Sequence, residues 1–292
     1  VLYFGYGSNL CALDLSRWSV ERGLDPVRLQ RVAPAFLPDR RLAFTHRSTT
    51  RDGGVLDIPE ARGSAVAGVL FRAPGGEAIA TLDRKEGEGH TYRRFEAVAL
   101  TENGAEERVF SYEVDPASRE PFVAPPPGYL DVVRRGYDEH GLAREPLEAA
   151  ARGASHPGPI AGFFVYGTLR RGEERHAVLA RHAVTGGDAA TTIGALLDLG
   201  PYPGLVVDGA RGTVAGELYH TADPDALYKE LDAIEMFRGF GVAGSEYRRA
   251  IVRVRRASSG AGSALAWTYI YAGSRDACGV IASGDWRERR QP

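Results

Sequence analysis

The chain has only two cysteines, Cys11 and Cys278. They are too few and too far apart for a disulfide framework or a thiolate cluster. The expected compartment is therefore a reducing one, and Cys11 reads as a small core residue. No His-x-x-x-His or Cys-x-x-Cys spacing occurs, so no metal site is expected. A Gly-x-Ser-x-Gly elbow and a Walker-type phosphate loop are also missing, which sets aside the corresponding serine-nucleophile and nucleotide chemistries. Neither sign of charge dominates: 36 Lys+Arg against 38 Asp+Glu give a formal net charge of -2. That balance argues against a nucleic-acid partner and for small-molecule ones. Long hydrophobic runs are absent, and the apolar opening Val1–Phe4 is only a strand's length with no basic stretch before it. Neither a signal peptide nor a membrane span is expected, and the cytoplasm is the default location. Lysine is nearly missing, since Lys85 and Lys229 are the only two. With the Ala, Gly and Arg richness this suggests the coding bias of a GC-rich bacterial genome.

What is present is a repeated order of motifs. At 292 residues the length favours two domains. A strand-like run enters Tyr6-Gly7-Ser8-Asn9-Leu10, and a second enters Tyr166-Gly167-Thr168-Leu169, 160 residues later. A helical pattern follows each, through Leu13, Leu15 and Trp18 and through Ala177, Val178 and Leu179. Downstream, a helix ends in Leu-Asp-x-x-Glu twice, at Leu82–Glu86 and Leu231–Glu235. Each glutamate is followed by Tyr-Arg-Arg and an alternating strand, at Tyr92-Arg93-Arg94 and Tyr247-Arg248-Arg249. The spacing from Glu to Tyr is six residues in the first copy and twelve in the second, so the second carries a longer loop, Met236 to Glu246. Three matches in one order indicate a tandem duplication. The Gly- and Pro-bearing stretch from Arg144 to Gly162 reads as a short helix running into a linker, placing the boundary near residue 155, with domains at 1–150 and 160–292. Strands expected at 41–44, 67–71, 96–100, 108–113, 194–199, 205–207, 214–219, 251–254 and 265–271 outnumber the helices. They imply an α+β class, each domain a mainly antiparallel sheet curling toward a small β-barrel with flanking helices.

The turn after each first strand presents backbone N–H groups to an anion at a helix start, with Ser8, Asn9 and Thr168 as capping or donor side chains. Glu86 and Glu235 lie one helical turn after Leu82 and Leu231, so they lean toward packed surface at a helix end. Burial there, and the negative end of the helix dipole, raise a carboxyl pKa and suit a proton carrier. Tyr92 and Tyr247 are candidates to orient that carboxyl or to bind substrate, or else are half-buried packing. The adjoining arginines, Arg93, Arg94, Arg248 and Arg249, read as a solvated strand face.

These features resemble the γ-glutamylcyclotransferase superfamily. Residues 1 to about 150 are similar to its standard cyclotransferase and butirosin-pathway branch, also through Arg41-Leu42-Ala43-Phe44, Gly53–Ile58, Gly128-Tyr129-Leu130 and Glu139-His140-Gly141-Leu142. Residues from about 160 resemble the γ-glutamylamine cyclotransferase branch, also through Arg170-Arg171-Gly172, Tyr202-Pro203-Gly204-Leu205-Val206, Gly216–Tyr219 and Ser283-Gly284-Asp285-Trp286. The resemblance implies two tandem small barrels, no cofactor, and a γ-glutamyl substrate opened to 5-oxoproline and a free amine. It implies Glu86 and Glu235 as catalytic acid/bases, and Tyr6, Gly7, Ser8, Asn9 and Leu10, with Tyr166, Gly167, Thr168 and Leu169, as substrate loops. A fused pair of different branches leaves three readings open: two working sites, one working site beside a binding or packing module, or γ-glutamyl hydrolysis or transfer.

Overall fold

The computed structural model describes residues 1–182, 184–257, 262–276 and 278–289. The end of the expected second domain, residues 290–292, lies outside them. The chain divides into two compact units, Val1–Ala99 with Glu107–Pro159, and Leu100–Glu106 with Ile160–Pro292.

The first unit runs β1 (Leu2–Gly5), α1 (Ala12–Val20), β2 (Gln30–Arg40), β3 (Ala43–Ser48), β4 (Gly53–Asp57), β5 (Glu60–Arg72), α2 (Gly75–Glu86), β6 (Tyr92–Leu100), β7 (Glu106–Val114), α3 (Pro127–His140) and α4 (Glu145–Ala151). The second runs β8 (Ile160–Val165), α5 (His176–Ala180), β9 (Thr185–Ile193), β10 (Ala195–Asp198), β11 (Pro203–Val206), β12 (Thr213–His220), α6 (Pro224–Ile234), β13 (Tyr247–Arg256), β14 (Ser263–Tyr271) and β15 (Gly279–Val280).

Each unit holds a closed five-stranded barrel, ordered β1-β5-β2-β6-β7 and β12-β8-β14-β13-β9. Matching β1 with β8, β5 with β12, β2 with β9, β6 with β13 and β7 with β14 makes the two cyclic orders identical. The duplication read in the sequence is thus a duplication of topology. β5 pairs antiparallel with β1 and β2, as β12 does with β8 and β9 and β13 with β14 and β9, whereas β1–β7 and β14–β8 are parallel, with Tyr3 beside Phe110 and with Leu265 and Trp267 beside Ile160 and Phe163. Closure leaves no open edge to the main sheet.

Local chemistry repeats as well. A Cβ on Gly68 would lie 2.4 Å from Gly5 O and 2.5 Å from the Phe4 ring, and one on Gly216 would lie 2.3 Å from Val165 O and 2.5 Å from the Phe164 ring. Glycine at both places lets a buried phenylalanine of the first strand cross its neighbour. The hydroxyls of Ser111 and Thr268 donate to Phe4 O and Phe164 O, each at 2.9 Å. Phe4, Val69, Leu82 and Val133 pack in the first core, and Phe164, Leu205, Leu218 and Trp286 in the second.

Two barrel strands, β2 and β9, were not legible as strands. β2 contains Pro34 and Pro38 and accommodates them with register irregularities at Arg31/Ala33 and Pro38/Arg40, in keeping with the confinement of proline to irregular strand positions. β9 reads TGGDAATTI, with little apolar alternation to reveal it. The arginine expectation needs a correction. Arg94 is half exposed, but Arg249 is 1% exposed and packs among the rings of Tyr228, Phe237, Phe240 and Trp267 at 4.9 to 5.5 Å. The longer loop of the second copy supplies two of those rings, which is why this arginine cannot reach solvent.

Candidate active sites

The Leu-Asp-x-x-Glu segments close α2 and α6 in the same way. After Glu86, Gly87 takes the left-handed conformation at φ 63, its N–H pointing to Arg84 O and that of Glu88 to Asp83 O. After Glu235, Met236 does the same at φ 52, its N–H pointing to Ala233 O and that of Phe237 to Asp232 O. Glycine adopts this conformation freely, whereas methionine is strained there. Both chains reverse immediately after the glutamate, which leaves its carboxyl facing a cavity.

In the first domain that cavity measures about 530 Å³ and is walled by Ser8, Asp14, Trp18, Arg51, Lys85, Glu86, Tyr92 and Tyr129, among others. The carboxyl of Glu86 is gripped: Asn9 Nδ2 donates to its Oε1 at 2.7 Å and also contacts Tyr3 OH at 3.0 Å. Lys85 Nζ donates to Asn9 Oδ1 at 2.7 Å and to Ser8 Oγ at 3.3 Å, and pairs with Asp14 Oδ2 at 3.3 Å. Arg51 pairs with Asp14 from the other side at 3.1 Å. Burial raises the Glu86 pKa, while Lys85, Asn9 and Arg51 hold the rise back. Although its own burial opposes this, Asp14 is kept below the usual carboxylate range by Lys85 and Arg51.

The second cavity is smaller, about 170 Å³, and lined by Tyr166, Gly167, Thr168, Leu169, Arg175, Tyr202, Ile234, Glu235, Glu246 and Tyr247, among others. The counterpart of Asn9 is Leu169 and that of Lys85 is Ile234, so the amide and ammonium of the first site are replaced by hydrocarbon. Burial pushes Glu235 up to about 7, opposed by Arg175 and assisted by Glu246. A carboxyl with that value exchanges its proton readily at neutral pH.

The structure brings Tyr166, Gly167, Thr168, Leu169, Glu235 and Tyr247 to one cavity, and Ser8, Glu86 and Tyr92 to the other, with Asn9 touching Glu86 from behind. Gly7 leads into the Ser8–Leu10 turn. Leu10 points into the core at 1% exposure rather than to the cavity. Tyr6 and Tyr166 are buried anchors whose hydroxyls donate to Tyr112 O and Tyr269 O, both at 2.8 Å. Tyr92 and Tyr247 likewise donate to backbone, at Leu56 O (2.8 Å) and Pro203 O (2.9 Å). Each therefore ties its cavity wall to the small side sheet, β3–β4 or β10–β11, and its hydroxyl proton is not directed at the glutamate.

Lys85, Asp14, Arg51 and Tyr129 in the first site, and Arg175, Tyr202 and Glu246 in the second, were missed as site residues. Lys85 carried a signal, as one of two lysines and a direct neighbour of Glu86. Glu246 adjoins Tyr247 in the same way. Asp14, Arg51 and Tyr129 converge only through the fold. Among the described residues no group of three or more His, Cys, Asp or Glu is arranged to hold a metal ion, and no helix is long and apolar enough to cross a membrane.

Comparison with known proteins agrees with this duplicated arrangement. A family model described as "Gamma-glutamyl cyclotransferase, AIG2-like" matches twice, over residues 3–128 and 163–288. The chain is 34% identical over 128 residues to the "Gamma-L-glutamyl-butirosin B gamma-glutamyl cyclotransferase" of Niallia circulans, covering 44% of this chain and 76% of that one. It is 37% identical over 126 residues to a "Putative gamma-glutamylcyclotransferase" of Vibrio cholerae, covering 43% and 95%. A "Gamma-glutamylcyclotransferase family protein ytfP" of Citrobacter rodentium is 32% identical over 128 residues, covering 44% and 96%. Through both of its barrels, this chain belongs to the gamma-glutamyl cyclotransferase, AIG2-like family.

Proposed function

We propose that the protein releases 5-oxoproline and a free amine from γ-glutamyl amines or γ-glutamyl peptides, with a site in each of the segments 1–150 and 160–292. The observation that carries this reading is the pair of half-buried glutamates, each at a cavity wall, whose pKa values are raised. Each ends a helix and faces a cavity walled in part by the Tyr-Gly loop, through Ser8 in the first domain and Tyr166 to Leu169 in the second. The substrate's own α-amine is the nucleophile. Glu86 or Glu235 takes a proton from the α-ammonium, the freed amine attacks the γ-carbonyl, and a C–N bond forms. The bond to the leaving amine then breaks as the carboxylic acid returns that proton to its nitrogen, and the ring nitrogen gives up its second proton, which completes the departing ammonium, so the reaction consumes no net proton. Holding the glutamyl chain folded makes the attack intramolecular, which can lower the barrier by roughly 7 to 11 kcal/mol. Backbone N–H groups of the Tyr-Gly loop hold the substrate carboxylate or the developing oxyanion.

The roomier first cavity suits a larger leaving amine than the second. Similarity to an enzyme named for γ-L-glutamyl-butirosin B supports removal of a γ-glutamyl protecting group in natural-product assembly as a role for the first site. The test is mass-spectrometric detection of 5-oxoproline from a panel of small and large γ-glutamyl amines, with wild type, Glu86→Gln and Glu235→Gln. Loss of product from a given substrate in one variant assigns that substrate to a domain. Free glutamate or a new conjugate in place of 5-oxoproline would instead establish hydrolysis or transfer.

A further inference from the structure

The helix carrying each glutamate is fastened by the same three side chains, none of which the reaction scheme uses. Asp83 lies three residues before Glu86, and Asp232 three before Glu235. Each aspartate accepts a hydrogen bond from a tyrosine on the last barrel strand: Tyr112 OH reaches Asp83 Oδ1 and Tyr269 OH reaches Asp232 Oδ1, both at 2.7 Å. Its second oxygen meets the second arginine of the Tyr-Arg-Arg motif. Arg94 Nη1 is 2.7 Å from Asp83 Oδ2, and Arg249 Nη1 is 3.6 Å from Asp232 Oδ2. The backbone carbonyls of the same two tyrosines accept the hydroxyls of Tyr6 and Tyr166 at the Tyr-Gly loops. One continuous path therefore joins the last turn of the glutamate's helix, two barrel strands and the loop. It is built twice within one chain, although the surroundings of the two glutamates differ.

The geometry points to Asp83–Tyr112–Arg94 and Asp232–Tyr269–Arg249 as positioning triads that fix each glutamate relative to its Tyr-Gly loop. This rests on the reading of those glutamates as the proton carriers. Neither aspartate lines the cavity of its glutamate, so each acts through the helix rather than on substrate. The last turn of a helix is where fraying begins, and the triad ties that turn to the barrel. A base displaced by about 1 Å can cost on the order of a hundredfold in rate. In the second triad the arginine stands farther from its aspartate, at 3.6 Å against 2.7 Å, and is held by enclosing aromatic rings, two of them from the loop that follows Glu235.

The experiment uses the full chain with one domain's glutamate replaced by Gln, so that the other reports alone. Asp83→Ala, Asp83→Asn and Tyr112→Phe are examined in the first domain, and Asp232→Ala and Asp232→Asn in the second. Release of 5-oxoproline gives kcat and KM, and carbon-13 NMR of the side-chain carboxyl gives the titration midpoint of the remaining glutamate. The expected result for Asp→Ala is a fall in kcat of about tenfold or more with KM within about twofold. The glutamate's midpoint drops toward the ordinary carboxylate range as the carboxyl gains solvent. Asparagine still accepts from the tyrosine and restores most of both, while Tyr112→Phe, which keeps the ring and the fold, moves both in the direction of alanine. An unchanged kcat, or an unchanged midpoint in every variant, overturns the proposal even where melting temperature falls. If neither glutamate supports turnover in the parent chains, the reading of the reaction fails on its own, and the NMR midpoints still decide whether the triads position the carboxyls.

Discussion

The two sites share a frame and differ in what surrounds the glutamate. In the first domain, Asn9 and Lys85 hold Glu86 in a polar net that Asp14 and Arg51 extend across a cavity of about 530 Å³. In the second, Leu169 and Ile234 take those two places, and Glu235 stands in a cavity of about 170 Å³ with Arg175 and Glu246 near it. The barrel order, the helix termination and the tyrosine anchors stay constant. Duplication thus kept the parts that place a carboxyl and changed its charged neighbours and the size of the cavity it faces.

The largest effect that can break this comparison is loss of the base. Glu86→Gln should lower turnover of bulky γ-glutamyl amines by about 100-fold or more while leaving small ones to the second site. Glu235→Gln should do the reverse, and the product assay across the panel reads both. A common loss for every substrate in one variant would show that only one domain works.

The second effect concerns stability. With a folded pKa of about 7, Glu235 binds a proton more tightly folded than unfolded. Its contribution is therefore full below its unfolded pKa and is lost as pH rises through about 7. Glu235→Gln removes this dependence, so at pH 8 the variant's second domain should be more stable than wild type by on the order of 2 to 3 kcal/mol. The gain should vanish in acid, as urea unfolding at the two pH values can check.

The third is the pH dependence of the rate. A base titrating near 7 makes the second domain about tenfold slower at pH 6 than at pH 8. Lys85→Ile, which copies the second site into the first, should move the acidic limb of the first domain upward, because it deletes a cation that favours the charged Glu86. A limb that stays in place would mean the polar net does not tune the base.

The smallest effect tests the helix end. Met236→Gly relieves a left-handed non-glycine residue and should stabilise the second domain by about 0.5 to 1 kcal/mol, whereas Gly87→Met should destabilise the first by about 1 kcal/mol. Thermal melts of the two variants measure both.

Much of this frame was legible in the sequence because it was written twice. The repeats of Tyr-Gly, Leu-Asp-x-x-Glu and Tyr-Arg-Arg announced two barrels and two glutamates before any contact was known. β2 escaped because Pro34 and Pro38 mask its alternation, and β9 because it is built from glycine, alanine and threonine. The net around Glu86 escaped for a different reason: Asp14, Arg51 and Tyr129 come from α1, the β3–β4 turn and α3, which only closure of the fold brings to one wall. The burial of Arg249 depends on Phe237 and Phe240 folding back over it from the longer loop, and no spacing rule signals that.

Whether the chemistry runs on these two carboxylates is decided by the Glu86→Gln/Glu235→Gln double variant incubated with a γ-glutamyl substrate that wild type converts. The expected outcome is a folded protein whose 5-oxoproline release falls to the uncatalysed background. Release at the wild-type rate would contradict it.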